Sequence, residues 1–196
     1  MTTPTNYHQT SIAEYSDRLG SNEATPGGGS AAAVVLNLAA NCAAKAAVFS
    51  GIEDNPTVKS FYEQCKEYAA EGLRLAADDE RTFLEWKDAR ALPKDTIEQQ
   101  AARTEAVNAA VVRCISVPYT LAKKSLSFLG TLDGFRPLCK KWLLSDLQVA
   151  ESFARAAFES AGYNIEINMP FLKDEGLKKE IEEFLNTPHQ ACSASS

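Results

Sequence analysis

Two aspartates stand where a packed helix needs an apolar residue. Residues three, four and seven apart share one side of a helix. On that spacing Asp79 shares its face with Tyr68, Gly72, Leu75, Ala76, Phe83 and Trp86. Asp146 shares its face with Trp142, Leu143, Val149, Ala150, Phe153 and Ala157. Asp78 turns the other way, toward Glu67, Glu71, Arg74 and Glu85, and is expected in solvent. A carboxylate inside an apolar stripe is costly unless a partner or ligand meets it. Two readings follow. Each aspartate could cap a neighbouring helix or pair with Arg103 or Arg113. Alternatively, both could enter one cavity between helices and handle protons or hold a cationic substrate, with burial raising their pKa toward the useful range.

A second polar line accompanies them. Asn37, Asn41 and Lys45 fall four apart on an alanine-rich run, so they form one stripe. That stripe is either a solvent edge or a pocket wall. Just before the run stands "TPGGGS", residues 25–30. Glycines at a helix start expose backbone N–H groups beside the positive end of the helix dipole, where a carbonyl or anionic oxygen can bind. Thr25-Pro26 could begin a turn, or Ser30 could cap the helix. The spacing is not that of a nucleotide loop, and a simple hinge is the alternative. Both histidines, His8 and His189, fall in expected tails, which argues against Ser-His-acid catalysis and against a His-based metal site.

These residues need long helices to position them. Capping-box spacing at Ser11 and Glu14 predicts a short helix to Leu19. A second helix should run from the glycines to about Phe49, where Gly51 stops it. A third is predicted over 58–89, with Cys65, Gly72, Asp79 and Trp86 seven apart on its inner face. Thr96 opens a fourth, running toward Leu129 and kinked near Pro118. Helix is predicted again over 138–161, then a short β-flavoured run "GYNIEINMP", and a polar last helix over 175–185. The chain of 196 residues thus reads as one all-α domain of long antiparallel helices over 11–186, with flexible tails at 1–10 and 187–196.

Composition narrows the function. A net charge of −6 with no basic cluster speaks against a nucleic-acid partner. Five scattered cysteines with no CxxC pair point to a reducing cytoplasm rather than a disulfide scaffold or zinc site. "MTTPTNYHQT" has neither a basic start nor an apolar run, so no signal peptide is expected. The run 31–49 comes closest to a membrane span, but Asn37, Asn41 and Lys45 interrupt it; a buried helix and no membrane partner are expected. Its alanines would let a neighbouring helix approach closely, from this chain or a second copy.

The segments "TPGGGSAAA" (25–33), "ADDERTFLEWKDARALPKDTIEQQAAR" (77–103), "VPYTLA" (117–122), "SDLQVA" (145–150) and "NIEIN" (164–168) occur in an order that resembles the cyclodeaminase/cyclohydrolase family of folate enzymes. The resemblance runs from about Ile12 to Glu183. It implies an all-helical homodimer in a cytoplasmic setting, binding a tetrahydrofolate derivative as substrate between helices, with no metal and no separate cofactor. Carried over, Pro26, Gly27, Gly28, Gly29 and Ser30 match the family's glycine motif, and Asp79 and Asp146 match its acids. Arg103 matches the arginine after the Leu-Pro turn, and Asn164 and Asn168 match its late asparagines. The chain departs from the family where Glu53 and Asp54 replace basic residues, at Lys45 and Val48, and in "GFRPLCKKWLL".

The implied activity is a methenyltetrahydrofolate cyclohydrolase or formiminotetrahydrofolate cyclodeaminase, one aspartate stabilising a cation while the other moves a proton. The lack of a formiminotransferase part tilts the expectation toward the cyclohydrolase. Two alternatives stand beside it: a divergent member acting on a non-folate imine or iminium, and a non-catalytic helical dimer whose polar seam fixes register.

Overall fold

Each helix whose start reads clearly in the sequence has a side chain closing its first turn. Ser11 accepts from the Glu14 N–H, Asn55 from Thr57 and Val58, Thr96 from Gln99, and Asp174 from Leu177. These caps satisfy backbone donors that the helix itself leaves open. The computed structural model describes residues 5–187. Its helices are α1 (Ile12–Leu19), α2 (Gly28–Phe49), α3 (Pro56–Ala91), α4 (Ile97–Phe135), α5 (Leu144–Asn168) and α6 (Glu175–Asn186). Short 3-10 turns occupy Arg136–Leu138, Lys141–Leu143 and Met169–Phe171. No strand occurs among the described residues.

α2 to α5 close a four-membered ring in which α2 packs on α3 and α5, and α4 packs on the same two. Short links reverse the chain at each step, so neighbours run antiparallel. The start of α2, the later part of α3 and the end of α5 therefore share one end of the bundle. The end of α2 and the start of α5 share the other.

α2 is long and apolar enough by length and composition to cross a bilayer. Here it is a core helix, with Leu36, Ala39, Ala40, Ala43, Ala46 and Ala47 fully buried. Its thin side chains bring α3 very close. A Cβ on Gly72 would come within 2.8 Å of the Ala33 carbonyl oxygen, so only glycine fits that crossing.

The structure corrects three expectations. α4 does not stop at Leu129; it runs through Gly130 and Gly134 to Phe135. Buried Leu132 and Phe135 hold that stretch against the core, which outweighs the helix cost of two glycines, about 1 kcal/mol each. Pro118 lies inside this helix. The β-flavoured "GYNIEINMP" is helix as far as Asn168, because Ala157, Ala161 and Ile165 continue the buried stripe of α5, and tertiary burial overrides local β preference. Finally, residues 5–10, assigned to a tail, are placed against α3. Thr5 is buried, and Tyr7 donates to Glu80. His189, Cys192 and the rest of the expected C-terminal tail beyond Thr187 lie outside the described residues.

Candidate active site

The turn at residues 24–29 and the first turn of α2 form one wall of a cavity of about 250 Å³. α3 contributes Asp79, Thr82, Phe83 and Trp86, α4 contributes Cys114, and α5 contributes Asn164 and Asn168. Helical geometry thus brings the glycine motif, one of the two aspartates and both late asparagines to one place.

Gly27 is the N-cap of α2. Ser30 does not cap from outside, as one reading had it. It sits in the first turn and reaches back, its Oγ accepting from the Gly27 N–H at 3.2 Å and donating to the Gly27 carbonyl at 2.9 Å. Gly27 and Gly28 have open space where a Cβ would stand. Gly29 does not: a Cβ there would lie 2.1 Å from Asp79 Oδ1. The most flexible residues are therefore placed against a helix start so that a carboxylate from the next helix can rest on the backbone.

Asp79 faces inward, as its stripe requires. Burial pushes its pKa up to about 6, the Ser30 backbone N–H holds it down in part, and the neighbouring Glu80 carboxylate raises it further. Asp78 faces outward between Arg74 and Arg81 at 2.6 and 2.8 Å. Cys114 donates to the Thr82 carbonyl, and burial pushes its thiol up to about 11, away from thiolate chemistry. The Thr25 hydroxyl, in the cavity wall, is buried with no hydrogen-bond partner among the described residues. Asn164 and Asn168 each donate a side-chain N–H to a carbonyl one turn earlier, at 2.8 Å, leaving their Oδ1 atoms available.

Other residues picked out by sequence lie elsewhere. Pro26 is buried behind the turn, and its bond to Thr25 is cis. Asn37 donates to the Ala69 carbonyl at 2.8 Å, tying α2 to α3. Asn41 donates to the Asn37 carbonyl and accepts from Lys66, and both Asn41 and Lys45 are exposed, so the polar stripe is an edge of the bundle. Arg103 gives two N–H groups to the Arg90 carbonyl, at 3.1 and 3.0 Å, closing the end of α3.

Asp146 does not join Asp79 within the protomer. It lies beside Cys42 and Cys139, whereas Asp79 sits on Gly29 and Ser30. Cys42 is twelve residues along α2 from Ser30, about 18 Å at the helical rise. The two stripes are real, but their helices carry the acids to opposite ends of the bundle. The expectation of one shared cavity fails in the single chain for that reason.

One carboxylate was missed. Glu80 is fully buried. It receives the Tyr7 hydroxyl and the Thr5 backbone N–H. The signal was present: Glu80 stands four residues after Ala76 and eleven after Ala69, both on the buried stripe.

These features define a class: an all-α bundle with a glycine-opened helix start facing a half-buried acid. The comparisons with known proteins give the family. The formiminotransferase-cyclodeaminase family model matches residues 11–187, and the chain belongs to that family. The formimidoyltransferase-cyclodeaminase of Gallus gallus is 27% identical over 172 residues, 85% of this chain and 32% of that protein. The chain thus spans about a third of the length of such relatives. The methenyltetrahydrofolate cyclohydrolase of Methylorubrum extorquens is 29% identical over 175 residues, 86% of this chain and 84% of that one. The crystal structure of formiminotetrahydrofolate cyclodeaminase from Thermotoga maritima superimposes with a TM-score of 0.79 at 25% identity, over 91% of this chain and 87% of that one.

Proposed function

We propose that this chain is a folate one-carbon enzyme that opens or closes a cyclic amidine on tetrahydrofolate, with Asp79 moving the proton. The observation that carries the reading is the Asp79 carboxylate resting on Gly29 in a cavity lined by the glycine turn and two asparagines. Family membership and relatives with those activities support it.

In the hydrolytic direction, water adds to the cationic N–C–N carbon of the methenyl form. Asp79, ionised, takes the proton that the water loses and passes it to the ring nitrogen, which leaves with the electron pair of its C–N bond while the added hydroxyl becomes the formyl carbonyl and gives its proton to solvent. In the deaminating direction, the anilino nitrogen of the side arm attacks the formimino carbon and its proton passes to the imino nitrogen; Asp79, protonated, gives a second proton as that nitrogen leaves as ammonia, and the cationic methenyl ring remains. A carboxyl that titrates near pH 6 serves either role around neutrality. Phe83 and Trp86 offer flat apolar faces to a fused heterocycle. A cavity of about 250 Å³ lies below the usual range for a drug-sized ligand. It takes the reacting rings, and the benzoylglutamate arm leaves through the open side. Both activities stay in the proposal, because the cyclohydrolase relative and the cyclodeaminase of known structure each match along most of both chains.

The test is direct. Purified protein is mixed with methenyltetrahydrofolate and the loss of its absorbance is followed. Turnover by the wild type that falls at least about 100-fold in Asp79→Asn is the expected result. Turnover unchanged in that variant would remove Asp79 from the chemistry. Binding without turnover would favour the non-folate imine or iminium substrate.

A further inference from the structure

The sequence led us to seek a second acid near Asp79 at Asp146, yet the structure supplies another one beside it. Glu80 follows Asp79 on α3 and points behind the cavity, into the segment at 5–10. Its Oε1 takes the Tyr7 hydroxyl and its Oε2 takes the Thr5 backbone N–H. Each carboxyl oxygen thus has one partner from the N-terminal segment, which fixes the side chain in place. The donors are themselves held. Arg18 donates to the Thr5 hydroxyl at 2.7 Å. The Tyr7 and Tyr15 rings pack at 5.7 Å, and the Tyr15 hydroxyl reaches Ser30 Oγ at 3.4 Å. Ser30 is the residue whose hydroxyl fixes Gly27 and whose N–H faces Asp79. One connected set of hydrogen bonds thus backs both the glycine turn and the inward aspartate.

We propose that Glu80 is a positioning residue: its buried carboxylate, fixed by Thr5 and Tyr7, favours the proton-carrying form of Asp79. The proposal deepens the functional reading and rests on it for the role of Asp79. Burial and Glu80 favour the protonated form of Asp79, and the Ser30 N–H opposes it. From its own helix Asp79 faces Glu80; from α1, Tyr15; from α4, Cys114. Gly29 and Ser30 of α2 and Asn164 and Asn168 of α5 bring no charge. Arg18, which holds Thr5, is also engaged by Glu23. Among the described residues, Glu80 is the carboxylate that acts on Asp79, and it does so from a buried position, where charge–charge effects are stronger than in water. A segment outside the bundle becomes part of the site by this route.

The experiment follows the Asp79 side-chain carboxyl carbon by NMR in the full chain between pH 4 and 8, with Asp79→Asn identifying the signal. In Glu80→Gln the Asp79 midpoint should fall by about one pH unit. The same protein should carry the pH dependence of methenyltetrahydrofolate turnover downward by a like amount. An unmoved Asp79 midpoint in a folded Glu80→Gln overturns the proposal. If that variant does not fold, the wild type decides: the Glu80 carbon must show the ionised form while Asp79 is titrating, and a neutral Glu80 there overturns the proposal as well. A shifted Asp79 midpoint with no folate turnover in either protein supports the role of Glu80 and counts against the folate reading.

Discussion

Asp79 costs the fold something, and that cost is a measurable sign of its role. Its folded pKa is raised from 3.8 to about 6, chiefly by burial. Between those values the native state binds more protons than the unfolded state, so stability falls as pH rises through that window. The contribution of Asp79 is most favourable below about pH 4, and a constant penalty remains above about pH 6. Asp79→Asn removes the ionisation and keeps an oxygen for the Ser30 N–H. The variant should be more stable than the wild type at pH 7.5 by about 1–3 kcal/mol, while losing turnover. Thermal unfolding from pH 4 to 8 checks this: the two curves should converge near pH 4 and separate toward neutrality. A variant less stable than the wild type at pH 7.5 would mean that Asp79 is a structural cap and nothing more.

At the scale of the helices, legibility followed burial. The inward turn of Asp79 and the outward turn of Asp78 were readable, because α3 carries an unbroken apolar stripe on one face and arginines on the other. The helix starts at Ser11 and Thr96 were readable for a similar reason, being local. What stayed hidden depended on partners distant in sequence. Ile165 and Ile167 read as strand until the burial of Ile165 in the bundle is known. Tyr7 reads as tail until Glu80 is seen to receive it. Arg103 followed a family position toward the substrate, yet its guanidinium closes the α3 carbonyl end at Arg90. That placement makes a clear prediction. Arg103→Ala should lower the melting temperature, by a cost of about 1–2 kcal/mol for two lost hydrogen bonds to a charged donor, and leave the KM for methenyltetrahydrofolate unchanged. A raised KM with unchanged stability would return Arg103 to the substrate.

At the scale of the whole molecule, the bundle leaves one face unfinished. Leu38 and Phe49 on α2 and Val149 and Phe153 on α5 are each more than a third exposed, and Trp142, just before α5, is 64% exposed. Phe49 and Trp142 pack edge to face with centroids 5.8 Å apart, and α2 lies directly on α5. This is the end of the molecule that holds Asp146, Cys42 and Lys45. The homodimer implied by the family resemblance is a proposal for this chain, and this apolar face is the surface such a pairing would cover. Burying exposed aromatic and aliphatic surface supplies the drive for association, and a charge at its centre opposes that drive. Trp142→Glu should therefore convert a dimer to a monomer at micromolar concentration in sedimentation velocity. The substitution lies far from the Gly29–Asp79 contact, so a folded monomer separates the two halves of the question. Turnover that survives in the monomer means each protomer works with its own Asp79 cavity. Turnover lost with the dimer, at unchanged melting temperature, would mean that groups from the Asp146 end of a second copy complete the site. A wild-type chain that sediments as a monomer at every concentration would remove the pairing altogether and leave Asp146 as a solvated residue in the first turn of α5.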